Sequence, residues 1–93
     1  MCGIAGLASP KTINEEILPR FLENLRHRGP DDEGTFVAPD RKLALAHTRL
    51  SILDLSSAGH QPMSNETRTL WITYNGEIYN FQELREELKS KGY

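Results

Sequence analysis

Cysteine is almost missing from this chain. Cys2 is the only one among 93 residues, which excludes an internal disulfide and fits a reducing compartment. An excess of one charge is missing too: 11 Lys and Arg stand against 13 Asp and Glu, for a net charge of -2. Neither nucleic acid nor an anionic membrane surface is therefore expected as a partner. No apolar run reaches the roughly 20 residues of a membrane span, and the first residues lack a signal-peptide pattern. No internal repeat or low-complexity stretch occurs. His27, His47 and His60 show no metal-ligand spacing, and one cysteine cannot complete a site with them. A cytoplasmic protein of one domain at most is expected, with a modest core.

The single cysteine sits directly behind Met1 and is followed by Gly3-Ile4-Ala5-Gly6. If Met1 is removed, one residue carries both a thiol and a free α-amine. A free α-amine ordinarily titrates at about 7.7–8.0 and a thiol at about 8.5, so the neutral amine can take the thiol proton. That is a nucleophile with its own base. Read alone, a lone Cys2 is more often a small buried apolar residue, and only the downstream segments overturn that.

Apolar Gly3 to Leu7 predicts a buried first strand. Ile13, Ile17, Leu18, Phe21, Leu22 and Leu25 recur at helical spacing. Thr12 and Asn14 are both N-cap candidates, Thr12 with Glu15 resembles a capping box, and Pro19 places the helix start, or a bend, near Leu18. Gly29-Pro30-Asp31-Asp32 is turn chemistry, with the aspartates exposed. Gly34 to Ala38 and Leu43 to Ile52 read as strands joined by a Pro39–Lys42 hairpin loop. Residues 54–68 read as a surface loop, and Thr69 to Tyr74 as a further strand. Asn80 with Glu83 starts a last helix, with Tyr79 and Leu84 as a staple. Phe81, Leu84 and Leu88 form its predicted buried stripe, Glu83, Glu86 and Glu87 its solvated face, and Gly92 its closing residue. Tyr93 would then open a further element, which predicts a truncated product. Short connections predict an α+β fold with largely antiparallel sheet.

Two segments beyond Cys2 invite chemistry. Asn75-Gly76 ends a predicted strand. It reads either as a hairpin turn or as an oxyanion hole, made from the Asn75 amide and the Gly76 N–H. Arg49, at a strand end, is either a solvated charge or a bidentate clamp for a carboxylate. His47 is a less favoured partner for Cys2 than the α-amine.

The opening Cys2-Gly3-Ile4-Ala5-Gly6 resembles that of a class II glutamine amidotransferase domain. Arg26-His27-Arg28-Gly29-Pro30-Asp31 resembles a second segment of that family. Leu45-Ala46-His47-Thr48-Arg49-Leu50-Ser51-Ile52, extended by Gln61-Pro62-Met63, resembles a third. Tyr74-Asn75-Gly76-Glu77-Ile78-Tyr79-Asn80 resembles a fourth. The segments stand in family order and span nearly the whole chain. Their wording is similar to the glutamine-hydrolysing asparagine synthetase branch. It is less similar to the amidotransferase domains of amidophosphoribosyltransferase or glucosamine-phosphate synthase.

The resemblance implies a four-layer αββα N-terminal-nucleophile fold, incomplete within 93 residues. It implies that Cys2 attacks the side-chain amide of glutamine, and that Asn75 and Gly76 hold the oxyanion. Arg49 would bind the substrate α-carboxylate, helped by the backbone of Leu50 and Ile52, and Glu77 would border the substrate amine. The parent enzyme would use the ammonia for ATP-dependent conversion of aspartate to asparagine. ATP and Mg2+ would belong to a synthetase domain absent from this chain, and no cofactor is expected within it. A homodimer of the full-length enzyme is compatible with this. The isolated 93 residues are expected to fold poorly and to be inactive. The alternatives are a related amidotransferase with another acceptor, or a non-catalytic binding domain of the same fold.

Overall fold

A computed structural model describes residues 1–51 and 56–93. The fold is α+β with antiparallel sheets. Strands β1 (Gly3–Ala8), β2 (Asp32–Val37) and β3 (Leu43–Arg49) form one sheet in the order β1-β3-β2. Gly3 pairs with Thr48 and Asp32 with Arg49, so the starts of β1 and β2 meet at the C-terminal end of β3. The β2–β3 hairpin turns at Pro39–Lys42 as predicted. Ala38 N–H donates to Leu43 O at 2.9 Å, and Arg41 takes a positive φ of 60°.

Helix α1 (Ile17–Leu25) starts with Pro19 in its first turn, where the missing N–H costs nothing. The predicted Thr12 capping box does not form. Asn14 does the work instead: its Oδ1 accepts from Glu16 N–H at 3.1 Å and its carbonyl from Ile17 N–H at 3.2 Å. The helix lays Leu18 on β3, where Ile13, Leu18 and Ala44 are buried and Leu7, Ile17, Phe21 and Val37 pack around them. Thr48 Oγ1 donates to Leu25 O at 2.9 Å and ties down the helix end. The fit there is tight: a Cβ on Gly3 would lie 2.6 Å from Thr48 Oγ1 and 2.9 Å from Leu25 Cβ.

After a 3-10 turn over Arg26–Arg28, the chain passes directly over β3. A Cβ on Gly29 would sit 2.5–2.6 Å from the backbone of Thr48 and Arg49, so only glycine permits this crossing. Asp31 N–H then donates to Arg49 O at 2.9 Å.

A small second sheet pairs β4 (Met63–Ser64) with β5 (Trp71–Ile72). Asn65 organises its turn, accepting at Oδ1 from Thr69 and Leu70 N–H. Trp71 stacks on Phe36 of β2 with ring centroids 4.0 Å apart, joining the hairpin to the main sheet. Helix α2 (Phe81–Ser90) closes at Gly92, which has φ 91°. Gly92 N–H donates to Lys89 O and Tyr93 N–H to Leu88 O, the doubly bonded glycine stop that was expected.

Several expectations need correction. Strand β1 is not buried. Of its residues only Gly3, on the face that meets Leu25 of α1, is buried, and Ile4, on the opposite face, is 47% exposed. The third strand stops at Arg49 rather than Ile52. The N–H of Leu50 and of Ser51 turn to Cys2 Sγ and Asp31 Oδ2, leaving the ladder; Ile52 lies outside the described residues. The strand predicted over Thr69–Tyr74 pairs only at Trp71–Ile72. The stripe of α2 is open: Phe81, Leu84 and Leu88 are 44%, 39% and 50% exposed, because none of the described elements packs on it. Tyr79 is 90% exposed and forms no staple, and Asn80 makes no side-chain cap bond.

Candidate active site

Cys2 leads into β1 beside the end of β3, and two neighbours hold it. Arg28 Nε donates to Cys2 O at 3.0 Å. Leu50 N–H donates to Cys2 Sγ at 3.4 Å, and the thiol lies 3.8 Å from Leu50 O. The backbone of Leu50 thus fixes where the sulfur sits at the mouth of β1.

Opposite the sulfur lie Asn75 and Gly76. Neither has a positive φ, so the type I′ hairpin turn, which needs positive φ at both central residues, is ruled out. Met1, Cys2, Leu50, Asn75, Gly76, Glu77 and Tyr79 line one cavity of about 210 Å³. Cys2, Leu50, Asn75, Gly76 and Glu77 were all singled out from sequence and meet here. The cavity brings a thiol, a backbone N–H, a carboxamide and a carboxylate to one small space.

Arg49 is elsewhere. It is not a solvated charge: it is buried, and Nη1 donates to Ser56 O at 2.6 Å. A Cβ on Gly59 would run into its guanidinium. It lines an adjoining cavity of about 260 Å³ with Asp31, Asp32, Ser51, Ser56, Ser57 and His60. Leu50 walls the first cavity while Arg49 and Ser51 wall the second, so three consecutive residues form the partition between them.

In the second cavity His60 Nδ1 lies 2.6 Å from Asp32 Oδ2. Burial pushes the Asp32 carboxyl up, but the His60 hydrogen bond and charge, the Glu33 N–H and Arg49 outweigh it and hold Asp32 below its usual range. Asp31, expected as an exposed turn residue, is exposed and also accepts from Ser51 N–H at 2.8 Å.

His47 does not meet Cys2. Its ring is 1% exposed, and Nε2 lies 3.2 Å from Tyr74 O. Burial pushes its pKa down. The Tyr74 carbonyl and Asp32 offset part of that, while His60 and Arg49 add to it. Among the described residues no group of three His, Cys, Asp or Glu side chains can hold a metal ion.

Sequence reading missed Arg28 as the residue that anchors Cys2, and Gln61, whose Oε1 accepts from Tyr74 N–H at 2.6 Å. Both lie inside segments already singled out, but their contacts span 26 and 13 residues, beyond what local pattern reveals.

A family model described as a glutamine amidotransferase domain matches residues 1–93. The chain is 43% identical over 98 residues to asparagine synthetase (glutamine-hydrolyzing) 1 of Bacillus subtilis, covering 100% of the chain and 15% of that protein. It is 44% identical over 93 residues to asparagine synthetase (glutamine-hydrolyzing) 1 of Arabidopsis thaliana, covering 97% of the chain and 15% of the relative. For the asparagine synthetase (glutamine-hydrolyzing) of Zea mays the identity is 43%, with the same coverages. The chain thus spans about 15% of the length of these relatives. No solved structure matches it.

Proposed function

We propose, from the premise that this chain belongs to the glutamine amidotransferase domain family matched over residues 1–93, that it supplies the nucleophile for glutamine hydrolysis. The observation that carries the reading is the shared cavity of Cys2, Leu50, Asn75, Gly76 and Glu77. Met1 also lines that cavity, so its removal would both free the Cys2 amine and open the wall beside it.

The amine then takes the thiol proton, and sulfur attacks the side-chain carbonyl carbon of glutamine. The carbonyl oxygen becomes an oxyanion between the Asn75 amide and the Gly76 N–H, donors of the kind that matter most as charge develops. Collapse breaks the C–N bond. The amine returns its proton to the leaving nitrogen, ammonia departs, and a γ-glutamyl thioester remains on Cys2. Water, giving a proton to the amine, attacks the thioester; glutamate leaves and the thiol is restored. Arg28 holds the Cys2 carbonyl in place, and the Leu50 N–H donates to its sulfur.

Glu77, on the cavity wall, is suited to the substrate ammonium. The family resemblance assigns Arg49 to the α-carboxylate; since its guanidinium lines the adjoining cavity, that role requires a glutamine that reaches from the Cys2 cavity into the second. Ile52, the remaining backbone candidate, lies outside the described residues. A sheet with α1 on one face is compatible with half of a four-layer αββα arrangement.

For the whole protein we propose ATP-dependent conversion of aspartate to asparagine in the cytoplasm, as a homodimer, with glutamine as nitrogen source. ATP and Mg2+ would be held by a further synthetase domain, and no step above runs through them. The test is glutamate release by the complete protein with a Cys2→Ala variant alongside. Wild-type release by the variant would defeat the reading.

A further inference from the structure

We propose that Tyr74 is clamped on both sides, by His47 and Gln61, and that this clamp aims the Asn75–Gly76 donors at the Cys2 cavity. The inference rests on the amidotransferase reading above and names two positioning residues for it.

Strand β5 ends at Ile72, so no ladder carries the chain from there to Asn75. Side chains take over. Thr73 Oγ1 donates to Ala46 O of β3 at 3.4 Å. Gln61 Oε1 accepts from Tyr74 N–H at 2.6 Å, and His47 Nε2 meets Tyr74 O at 3.2 Å. Both backbone polar groups of Tyr74 are thus held by side chains, immediately before the residue that offers its carboxamide to the cavity.

The His47 ring has one assignable role. A carbonyl only accepts, so Nε2 carries the proton and the neutral ring has a bare Nδ1. Nδ1 is buried and has no hydrogen-bond partner among the described residues. Leaving a buried polar atom unpaired costs free energy, and an apolar side chain would avoid that cost. What the imidazole offers in return is the Nε2 bond. It comes from the central strand of the sheet, the most rigid support available. A donor must stand within about 2.7–3.1 Å of the developing oxyanion, and a misplacement of about 1 Å costs on the order of 100-fold in rate. A clamp one residue upstream controls that distance.

The test uses the complete protein with three variants. His47→Leu removes the donor. His47→Gln keeps an N–H at the same bond count from the backbone. Gln61→Leu removes the acceptor from a half-buried position. The expected result is a fall in kcat for glutamine hydrolysis of roughly ten- to a hundredfold in His47→Leu, and a smaller fall in Gln61→Leu, with KM within about twofold. His47→Gln should recover to within about threefold of the wild type. Alkylation of Cys2 by iodoacetamide develops no oxyanion and should keep its rate in all three. Wild-type kcat in both Leu variants, equal loss in His47→Gln and His47→Leu, or a parallel loss of alkylation would overturn the clamp. If His47→Leu does not fold, kcat in Gln61→Leu decides. Unchanged Leu variants beside an inactive Cys2→Ala would sink the clamp alone; an active Cys2→Ala would sink the amidotransferase reading itself.

Discussion

Helices α1 and α2 carry the same kind of apolar stripe and meet opposite fates. In α1, Leu18 is 8% exposed against Ala44 and Ile13; in α2, Leu88 is 50% exposed. The pattern of a helix states which face favours burial, but a partner of matching shape decides whether burial happens. The sheet with α1 is a packed unit, tied by Thr48 to Leu25 and by the Gly29 crossing. From Ile78 onward the apolar side chains Ile78, Phe81, Leu84, Leu88 and Tyr93 line an open groove. The candidate site lies between the two regions: Cys2 and Leu50 come from the packed unit, and Asn75 to Glu77 from the chain leading to α2.

The largest effect should come from the packed side of that seam. Cys2→Ala should reduce glutamine hydrolysis by the complete protein roughly 10⁴-fold or more, since the nucleophile has no substitute. Asn75→Ala, on the other side, should lower kcat by about 10²–10³ with KM little changed. Should both substitutions act mainly on KM, the site would be a binding pocket and its two halves would not act together in catalysis.

Stability should divide along the same line. By urea unfolding of the complete protein, Leu18→Ala is expected to cost about 2–5 kcal/mol. Leu88→Ala should stay within about 0.5 kcal/mol, the range of ordinary surface changes. Equal costs would erase the distinction between the helices. Hydrogen exchange gives a second view: amides of β3 should be protected while those of α2 exchange early.

A smaller effect concerns pH. Folding lowers the pKa of His47 below its ordinary value near 6.5, so the unfolded chain binds its proton first. The contribution of His47 to stability is therefore present in full above about pH 6.5 and is lost as pH falls through the lowered folded value. Asp32, also lowered, adds a loss of the same sign at more acidic pH. His47→Gln should flatten the first decline and leave the second. A stability that rises on acidification from neutrality would contradict the buried neutral imidazole.

How much of this could be read beforehand differs between the two regions as well. Helix α1, the β2–β3 hairpin and the Gly92 stop follow from spacing and turn chemistry, which are local. The gathering of Cys2, Asn75, Gly76 and Glu77 was legible through the family segments. The early end of β3 was not, because Leu50 and Ser51 leave the ladder for acceptors 48 and 20 residues away. Nor was the partition that sets Arg49 in a second cavity, since alternation along a strand does not say which cavity a guanidinium enters. The short β5 escaped for a related reason: Thr73 and Tyr74 have β-favouring side chains, yet their polar contacts run to Ala46, His47 and Gln61.

The most direct measurement is an acid-quenched mass analysis of the complete protein during glutamine turnover, read on its N-terminal peptide. The account predicts a peptide that begins at Cys2 and carries a γ-glutamyl group on sulfur. A peptide that retains Met1, or stays unmodified while glutamine is steadily consumed, would contradict it.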